Sequence, residues 1–385
     1  MSGDKGQTPH TPEATPARGL DEPARVHRPV KPTPEELFVH HDPVKWDEFV
    51  AEMRWDQLRG RGYLVPNDQF FVMSWDEAPR IDAAAWRLKI EGSGVERPFE
   101  LTYDALLGMP SVSVIRYIEC AGNGRVFFKE ELGKEIDSWP LWRLGGYGVA
   151  EWTGVPLRDV LALAGLKKTA CDVMPEGVDA KKVQRPMPLE KALEPDTLLA
   201  YAMNGQPLSP DHGFPVRVIA PGWIGNNSIK WVGRIEVSES PIYSYFNTEE
   251  YVMIGPDYKP ESHRPGPALS HTSIKSALEL AWPAELGAGR QLIRGRSWSP
   301  FGAIARVQYS LDRGATWQDA RLREPNIPRA GVRWDFEWDA RPGEHSIRVR
   351  ATDDAGNAQP DQVPWNEKGY LFSAVVGHPV RVVQP

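Results

Sequence analysis

The decisive stretch of this chain is residues 112–125, which read Val112-Ser-Val-Ile-Arg-Tyr-Ile-Glu-Cys120-Ala-Gly-Asn-Gly-Arg125. Residues 112–119 have the β-branched composition of a strand. The glycines after it allow a sharp turn where a bulky group can approach the Cys120 sulfur. Arg125 adds a permanent cation, which favours the thiolate form of that cysteine. The stretch therefore predicts a strand ending in a thiolate that binds a metal or attacks a substrate, rather than a structural cysteine in the core.

The composition is typical of a soluble globular protein. The chain has 385 residues, of which 41% are apolar and 25% charged, and this length allows roughly two or three domains. A net charge of −7 argues against a general nucleic-acid or membrane-surface binder. The sequence lacks an apolar run of about 18 residues, so we predict no membrane span. With 36 prolines and 34 glycines, short strands and turns are expected rather than long helices.

Cysteine usage narrows the redox chemistry. The only cysteines are Cys120 and Cys171, and we interpret Cys171 as structural because it precedes Asp172 at the start of a probable strand, without the glycine-rich turn that follows Cys120. The sequence contains no Cys-x-x-Cys-His string for covalent haem and no cysteine cluster for an iron–sulfur centre. If the protein is a redox enzyme, we expect its electrons to leave through an external partner.

Composition and hydrophobic pattern divide the chain into three regions. Residues 1–41 are predicted to be a mobile tail or a surface arm. They show no secretory signal, so we expect a cytoplasmic protein, or a periplasmic one if a signal has been removed. Residues 42–262 predict an α+β domain of short elements, in which Trp46, Phe49, Val50 and Met53 recur at helical spacing after Asp42-Pro43. Residues 263–385 show regular alternation with Gly/Asp turns, which predicts an all-β immunoglobulin-like sandwich.

A second candidate cluster lies between residues 211 and 231. His212, Arg217 and Lys230 stand among glycines, and this combination suits a phosphate or pyrophosphate, because Arg binds oxyanions bidentately and open backbone amides form anion sites. The nucleotide-binding strings Gly-x-x-x-x-Gly-Lys-Ser/Thr and Gly-x-Gly-x-x-Gly do not occur in the sequence. Asp211 beside His212 leaves open a rival interpretation, a Cys–His–Asp nucleophilic enzyme.

Strings from about Phe70 to Val383 resemble the sulfite oxidase family in order and spacing. They are Cys120-Ala-Gly-Asn-Gly-Arg125, Trp142-Arg-Leu-Gly145, Ala150-Glu-Trp152-Thr-Gly154, Leu199-Ala-Tyr-Ala-Met-Asn-Gly-Gln-Pro-Leu208 with His212-Gly-Phe-Pro-Val-Arg217, Ile229-Lys-Trp-Val-Gly-Arg234, Tyr309-Ser-Leu-Asp-Arg-Gly-Ala-Thr-Trp317 and Trp365-Asn-x-x-Gly-Tyr370. The resemblance implies the family's molybdopterin-binding α+β domain, followed by its dimerisation domain.

The resemblance also implies a cofactor and its ligands. One molybdenum–molybdopterin per chain is expected, without haem, and Cys120 is the expected metal ligand, since soft thiolates suit such a metal. Arg125 and Tyr251 match catalytic positions beside the metal. The expected cofactor contacts are Phe71, Met73, Ser74, Asp179, His212, Arg217, Ser228, Ile229 and Lys230.

The activity implied is oxygen-atom transfer that converts sulfite to sulfate. The substrate is a small anion, and the electrons pass to an external acceptor such as a cytochrome or oxygen. A homodimer formed through the C-terminal domain is expected.

The chain departs from the family pattern in two places. Where the family has aromatic-aromatic-x-Arg-Asn-His, this chain has Phe70-Phe-Val-Met73-Ser-Trp75, and a second arginine expected before the last strand has no evident match in residues 375–381. Each missing guanidinium contact removes about 1.5–3 kcal/mol of anion binding. We therefore expect weaker sulfite affinity or a different substrate, with His263 or Arg264 as candidate replacements.

Two further functions stay open at this point. The same fold and cofactor could reduce an S-oxide, an N-oxide or nitrate, or oxidise a different sulfur compound. A protein that carries the cofactor without catalysis, or an immunoglobulin-like binding protein, is the alternative from another class.

Overall fold

The computed structural model describes residues 29–41 and 49–384. The strands of the N-terminal domain are, in chain order, β1 (Phe38–Val39), β2 (Phe49–Met53), β3 (Val72–Ser74), β4 (Arg87–Glu91), β5 (Phe99–Thr102), β6 (Val112–Glu119), β7 (Tyr147–Pro156), β8 (Asp172–Gly177), β9 (Met187–Pro188), β10 (Leu198–Met203), β11 (Gln206–Pro207), β12 (Arg217–Ile219) and β13 (Val232–Ser238). Its helices are α1 (Tyr103–Leu107), α2 (Phe127–Glu130), α3 (Leu157–Ala164), α4 (Leu189–Ala192) and α5 (Tyr245–Thr248). Single 3₁₀ turns occur at Trp55–Leu58, Pro210–His212 and Gly225–Asn227.

These strands form sheets around the predicted thiolate. One sheet has the order β11-β10-β7-β6, with β12 paired to β10, so β6 brings Cys120 to the end of an edge strand. A second sheet has the order β5-β4-β13-β8-β9, and a small third sheet has the order β1-β2-β3. The short mixed elements confirm the predicted α+β class.

The C-terminal region is a sandwich of two sheets. Its strands are β14 (Lys275–Leu278), β15 (Ala284–Gly287), β16 (Gly289–Trp298), β17 (Ile304–Ser310), β18 (Gln318–Asp319), β19 (Arg321–Ile327), β20 (Gly331–Ala340), β21 (Gly343–Asp353) and β22 (Gly377–Val383). They form the sheets β14-β16-β20-β19 and β15-β22-β21-β17-β18. The alternating apolar residues of β17, β20 and β21 pack between the sheets, as their period of two requires. The all-β sandwich is confirmed, whereas its immunoglobulin-like topology stays a prediction.

Local sequence signals place some elements well. Helix α3 has Pro156 at its N-cap and Gly165 at its C-cap with φ +67, a left-handed conformation that glycine adopts readily. Leu157, Val160, Leu161 and Ala164 form the buried face of this helix, at the spacing of an amphipathic helix. In the part of the chain that the structure describes, no helix is long and apolar enough to cross a membrane.

The helix predicted after Asp42 is wrong where the structure describes it. Phe49–Met53 is strand β2, and all of its residues are buried. A strand buried on both faces is apolar at nearly every position, so its residues also satisfy helical spacing. The first part of that prediction, residues 42–48, lies outside the described residues.

One hydrophobic core crosses the predicted domain boundary at residues 262 and 263. Trp298 of the sandwich is fully buried and stacks on Tyr147 with ring centroids 4.0 Å apart. It also stacks on Trp55 at 5.9 Å. The two sequence-defined regions therefore share packing next to the strand that carries Cys120, and the boundary itself stays a prediction.

A buried polar network joins the same two regions. Glu119, the residue before Cys120, is 0% exposed, and its Oε1 accepts from Lys275 Nζ at 2.6 Å and from Asn123 Nδ2 at 2.9 Å. Its Oε2 accepts from Trp298 Nε1 at 2.9 Å. Asn123 Oδ1 in turn accepts from the amide of Gly146 at 3.0 Å. Side chains from strands β14 and β16 of the sandwich thus hold the loop that follows strand β6.

We predict that Lys275→Met lowers the free energy of unfolding by about 3–5 kcal/mol, because it leaves a buried carboxylate without its cation. The double variant Glu119→Gln with Lys275→Met should recover part of that loss, since a neutral amide still accepts from Trp298. Chemical denaturation measures both. Lys89→Met is the control, because Lys89 pairs with Glu91 on the surface and should cost at most about 1 kcal/mol. Equal losses for Lys275→Met and Lys89→Met would contradict the network's role.

Candidate functional site

Cys120 lies where strand β6 ends and a tight turn begins. Its amide donates to Gly146 O at 2.9 Å, and its carbonyl accepts from the amide of Asn123 at 3.0 Å. Gly124 has φ +95, which makes the turn sharp, as the sequence predicts. Gly122 leaves room for the Arg125 side chain, since a Cβ there would lie 2.6 Å from Arg125 Nη2. Both cysteines lie within the described residues, and neither forms a disulfide.

A cleft of about 740 Å³ opens in front of Cys120. It collects every site residue predicted from the sequence except Arg125. Those residues are Phe71, Met73, Ser74, Cys120, Asp179, His212, Arg217, Ser228, Ile229, Lys230 and Tyr251. They come from strands β3 and β12, from the loops around β13, and from the turn after β6, which are far apart in sequence. We call this space the first cleft.

Buried cations line one end of the first cleft. Arg217 donates through Nη1 to His212 O and through Nη2 to Ser228 O, both at 3.0 Å. Lys230 Nζ donates to Met73 O at 3.1 Å and to Asp211 O at 2.9 Å, and it also bonds the Ser74 hydroxyl. Gly213 makes this convergence possible, because a Cβ there would lie 2.9 Å from Arg217 Cβ. These two cations are held by carbonyl and hydroxyl oxygens rather than by carboxylates.

Burial makes this charge unfavourable in the protein alone. It lowers the pKa of Lys230 to about 7, with Arg217 contributing further, and it lowers the pKa of Arg217 to about 9. Burial, followed by the nearby Lys31, Arg217 and Lys230, holds the pKa of His212 well below its usual range. Cations gathered at such a cost are expected to face an anion.

The first cleft fits a molybdenum–pterin cofactor. The cations suit its phosphate, and the Oδ1 atom of Asn226, which lines the cleft, is buried without a hydrogen-bond partner among the described residues. That amide oxygen is available to a pterin N–H. Within residues 29–41 and 49–384, no cluster of three or more His, Cys, Asp or Glu side chains is placed to hold a metal ion. A metal bound by Cys120 would therefore take its other ligands from an organic group.

The Cys–His–Asp interpretation is not supported by the geometry. The Asp211 carboxylate accepts from the amides of Val30 and Lys31 at 2.9 and 2.6 Å, whereas a triad would use that carboxylate to orient the imidazole. The Nε2 atom of His212 faces Lys31 Nζ at 3.3 Å. These contacts place His212 in the cation cluster, and they do not place it as the base of a nucleophilic cysteine.

A second cleft of about 690 Å³ reaches Cys120 from another side. Met73, Trp75, Cys120 and Tyr251 line both clefts. The remaining lining residues of the second cleft are Arg125, Asp137, Ser138, Trp139, Pro140, Tyr245, Glu250, Lys368 and Tyr370. Cys120 therefore stands at the junction of the cation-lined first cleft and a second cleft with a different lining.

Arg125 lies in the second cleft, where its position is fixed from two sides. Its Nε donates to Lys368 O at 2.8 Å and its Nη1 to Pro140 O at 2.9 Å. Its guanidinium carbon lies 5.3 Å from the centre of the Tyr370 ring. Lys368 brings a second cation to this cleft and pairs with Glu250, which also accepts from the Tyr370 hydroxyl.

Tyr251 is held rigidly beside both clefts. It is 5% exposed, has φ +51 and stacks on Tyr370 with centroids 5.4 Å apart. Its hydroxyl accepts from Trp75 Nε1 at 3.1 Å. Arg185 lies 5.7 Å from the Tyr251 ring, and burial lowers the pKa of that guanidinium to about 10. The tyrosine thus has one orientation and a buried cation next to it.

The candidate replacements for the missing arginines lie elsewhere. Arg264 Nε pairs with Glu261 at 2.8 Å, and His263 packs on Tyr243 with centroids 4.4 Å apart. Neither residue lines either cleft, and the suggestion that one of them replaces an arginine stays a prediction. The second cation of the second cleft is Lys368, which lies in the string Trp365-Asn-x-x-Gly-Tyr370.

Trp75, Glu250, Arg185 and Lys31 were not predicted from the sequence. Trp75 and Glu250 line the clefts, and Arg185 and Lys31 contact residues that line them. All four are brought there by the packing of distant segments. Trp75 alone had a signal, because it stands where the family pattern has histidine.

Two family models match the chain. Residues 76–246 match the oxidoreductase molybdopterin binding domain, and residues 277–376 match the Mo-co oxidoreductase dimerisation domain. Together the two matched ranges include most of the residues that line the two clefts and most of the sandwich.

Several known proteins are similar to the chain. Mitochondrial sulfite oxidase of Rattus norvegicus is 35% identical over 340 residues, which cover 83% of this chain and 61% of the rat protein. Sulfite oxidase of Gallus gallus is 34% identical over 339 residues, which cover 83% of this chain and 73% of that protein. The NADH nitrate reductase of Ulva prolifera is 31% identical over 342 residues, which cover 80% of this chain and 39% of the reductase. The chain therefore spans less than two thirds of the rat enzyme's length.

A solved structure agrees with these matches. The sulfane dehydrogenase SoxCD from Paracoccus pantotrophus superposes with a TM-score of 0.80 at 27% sequence identity, covering 93% of this chain and 92% of that one. With the cysteine turn, the cation-lined cleft and both family models in agreement, the chain belongs to the sulfite oxidase family of molybdopterin-binding oxidoreductases.

Proposed function

We propose that the protein oxidises sulfite, or a closely related small sulfur oxyanion, with molybdenum–molybdopterin in the first cleft and an external electron acceptor. The observation that carries the proposal is the junction at Cys120, where the cation-lined first cleft meets a second cleft holding Arg125 and Lys368. Sulfite and water give sulfate, two protons and two electrons. The names of the similar proteins support sulfur chemistry, whereas the substrate and acceptor are proposals for this chain.

The cofactor, when bound, supplies the redox metal and the oxygen-transfer chemistry. Cys120 holds the metal. The Arg217 and Lys230 side chains, with His212, hold the phosphate, and Asp179 and Asn226 are the cleft's candidate partners for pterin N–H groups. Burial raises the pKa of Asp179, but a hydrogen bond from the pterin to the carboxylate would oppose that shift.

Residues of the second cleft bind and orient the substrate. Arg125 is oriented by carbonyl oxygens and by Tyr370, so it meets an anion without first reorganising. Lys368 is partly neutralised by Glu250. Tyr251, fixed by the indole of Trp75, presents a hydroxyl at the junction where the reacting atoms meet. These groups are oriented before the substrate arrives, which is the condition for electrostatic stabilisation of a transition state.

The charge of the second cleft favours a second candidate. Its lining holds two cations, Arg125 and Lys368, and two carboxylates, Asp137 and Glu250, and Met73 stands where a further guanidinium is expected. A lining without excess positive charge suits a neutral substrate better than a dianion. Reduction of an S-oxide or N-oxide at the same site is therefore the alternative function.

The oligomeric state and the cellular location are further parts of the proposal. Residues 277–376 match a dimerisation domain model, so we propose a homodimer in solution. The absence of haem and the cytoplasmic location stay predictions from the sequence.

The cofactor proposal predicts near-stoichiometric molybdenum in the wild type, with sulfite turnover lost in Cys120→Ser, because the variant lacks the thiolate ligand of the metal. Elemental analysis measures the metal, and reduction of ferricyanide by sulfite on the same samples measures turnover. Cys171→Ser is the matched control and should keep both. A wild type that binds no metal, in a host able to make the cofactor, would overturn the proposal. Metal without sulfite turnover would favour the alternative function, which dye-linked reduction of S-oxides and N-oxides measures.

The substrate proposal predicts that Met73→Arg lowers the KM for sulfite about 10-fold, since one charge-assisted guanidinium contact contributes about 1.5–3 kcal/mol. Steady-state kinetics on samples matched for molybdenum content measure the change. Met73→Gln is the control for size without charge and should leave KM near the wild-type value. If Met73→Arg and Met73→Gln give the same KM, the second cleft does not bind an anion at this position.

A further inference from the structure

Val30 and Lys31 contact Asp211 at the cation end of the first cleft. The carboxylate of Asp211 accepts from the amides of both Val30 and Lys31, at 2.9 and 2.6 Å. These contacts span 181 and 180 positions of sequence. One carboxylate thus anchors a short segment that comes from outside the domain matched by the family model at residues 76–246.

The anchored segment carries a lysine into the interior. Lys31 Nζ donates to Asn67 O at 3.1 Å and to Phe70 O, and it lies 3.3 Å from His212 Nε2. It also lies 4.9 Å from the centre of the Phe38 ring. The ammonium is therefore surrounded by carbonyls, an imidazole and an aromatic face, and Asp211 reaches the same residue through its backbone.

This arrangement adds a fourth basic side chain to one end of the cleft. Lys31 contacts His212, and His212, Arg217 and Lys230 all line the cleft. Burial lowers the pKa of Lys31 to about 7, while Asp211 and Asp68 act in the opposite direction. An ammonium that is half-buried next to other cations is unfavourable in the empty protein and becomes favourable when a phosphate dianion arrives.

We propose that residues 29–33 form a strap over the phosphate end of the cofactor cleft, and that Lys31 is a cofactor-retaining residue through which strap and phosphate stabilise each other. The inference rests on the proposed cofactor and concerns its retention rather than the reaction. By linkage, the factor by which bound cofactor increases the affinity of the strap for the domain is the factor by which the docked strap increases the affinity for the cofactor. Lys31 is a positioning residue, because it reaches the cleft across His212.

The proposal predicts opposite effects of Lys31→Met with and without cofactor. In loaded protein the variant should lose molybdenum and pterin about 10-fold faster after dilution, since the cation that holds the strap against His212 is removed. In protein from a host that cannot make the cofactor, thermal unfolding should be unchanged or shifted upward, because a poorly solvated cation has been removed. Lys31→Arg, which keeps the charge, should restore retention.

The second measurement follows the strap itself. An amine-reactive reagent, read by mass spectrometry, should modify Lys31 more slowly in loaded than in cofactor-free protein. Lys89, half exposed and paired with Glu91 on strand β4, is the internal control and should react equally in both. Lys89→Met is the matched control for retention and should behave as the wild type.

Three results would overturn the proposal. They are equal rates of cofactor loss in wild type and Lys31→Met, equal labelling of Lys31 in the two forms, and a fall in the stability of the cofactor-free variant, which would make Lys31 a purely structural residue. None of these measurements uses substrate. A wild type that never holds molybdenum would instead fail the proposed function, so the two failures are distinguishable.

Discussion

A buried carboxylate sets the position of the reactive turn, and much of the surrounding structure is arranged to satisfy it. Glu119 has no access to water, so its charge needs the Lys275 cation and the hydrogen bonds of Asn123 and Trp298. Those partners come from the turn itself and from two strands of the sandwich. The C-terminal region is therefore required for the geometry of Cys120, in addition to any role it has in association.

The Glu119 network and the first cleft treat charge in opposite ways. Around Glu119 the protein pairs every charge, which makes a rigid and self-sufficient unit. At the cation end of the first cleft, Arg217 and Lys230 donate to carbonyls, and their pKa values fall because of burial. Stability is lost there in the protein alone and is recovered when an anion binds. The Glu119 network therefore keeps the turn at Cys120 rigid, whereas the cation end of the first cleft is suited to bind a ligand.

The second cleft has the more balanced electrostatics, and this limits its substrates. Its guanidinium and ammonium groups are matched in number by carboxylates, and the Met73 side chain adds no charge. Substrate binding in this cleft then depends on orientation and on the fixed pair of Tyr251 and Trp75 more than on net potential.

The sequence by itself determined the local chemistry: the strand ending in Cys120, the cation cluster of residues 212–230, helix α3 between its proline and glycine, and the alternating strands of the sandwich. These follow from nearest-neighbour properties such as backbone sterics and hydrophobic period, which short strings record. The tertiary structure alone decided that Lys368 rather than Arg264 enters the second cleft, that Phe49–Met53 is a strand, and that Lys31 contacts His212. Each of these depends on which distant segments pack together. No local pattern encodes that choice, because it is made by burial and charge pairing summed over the whole core.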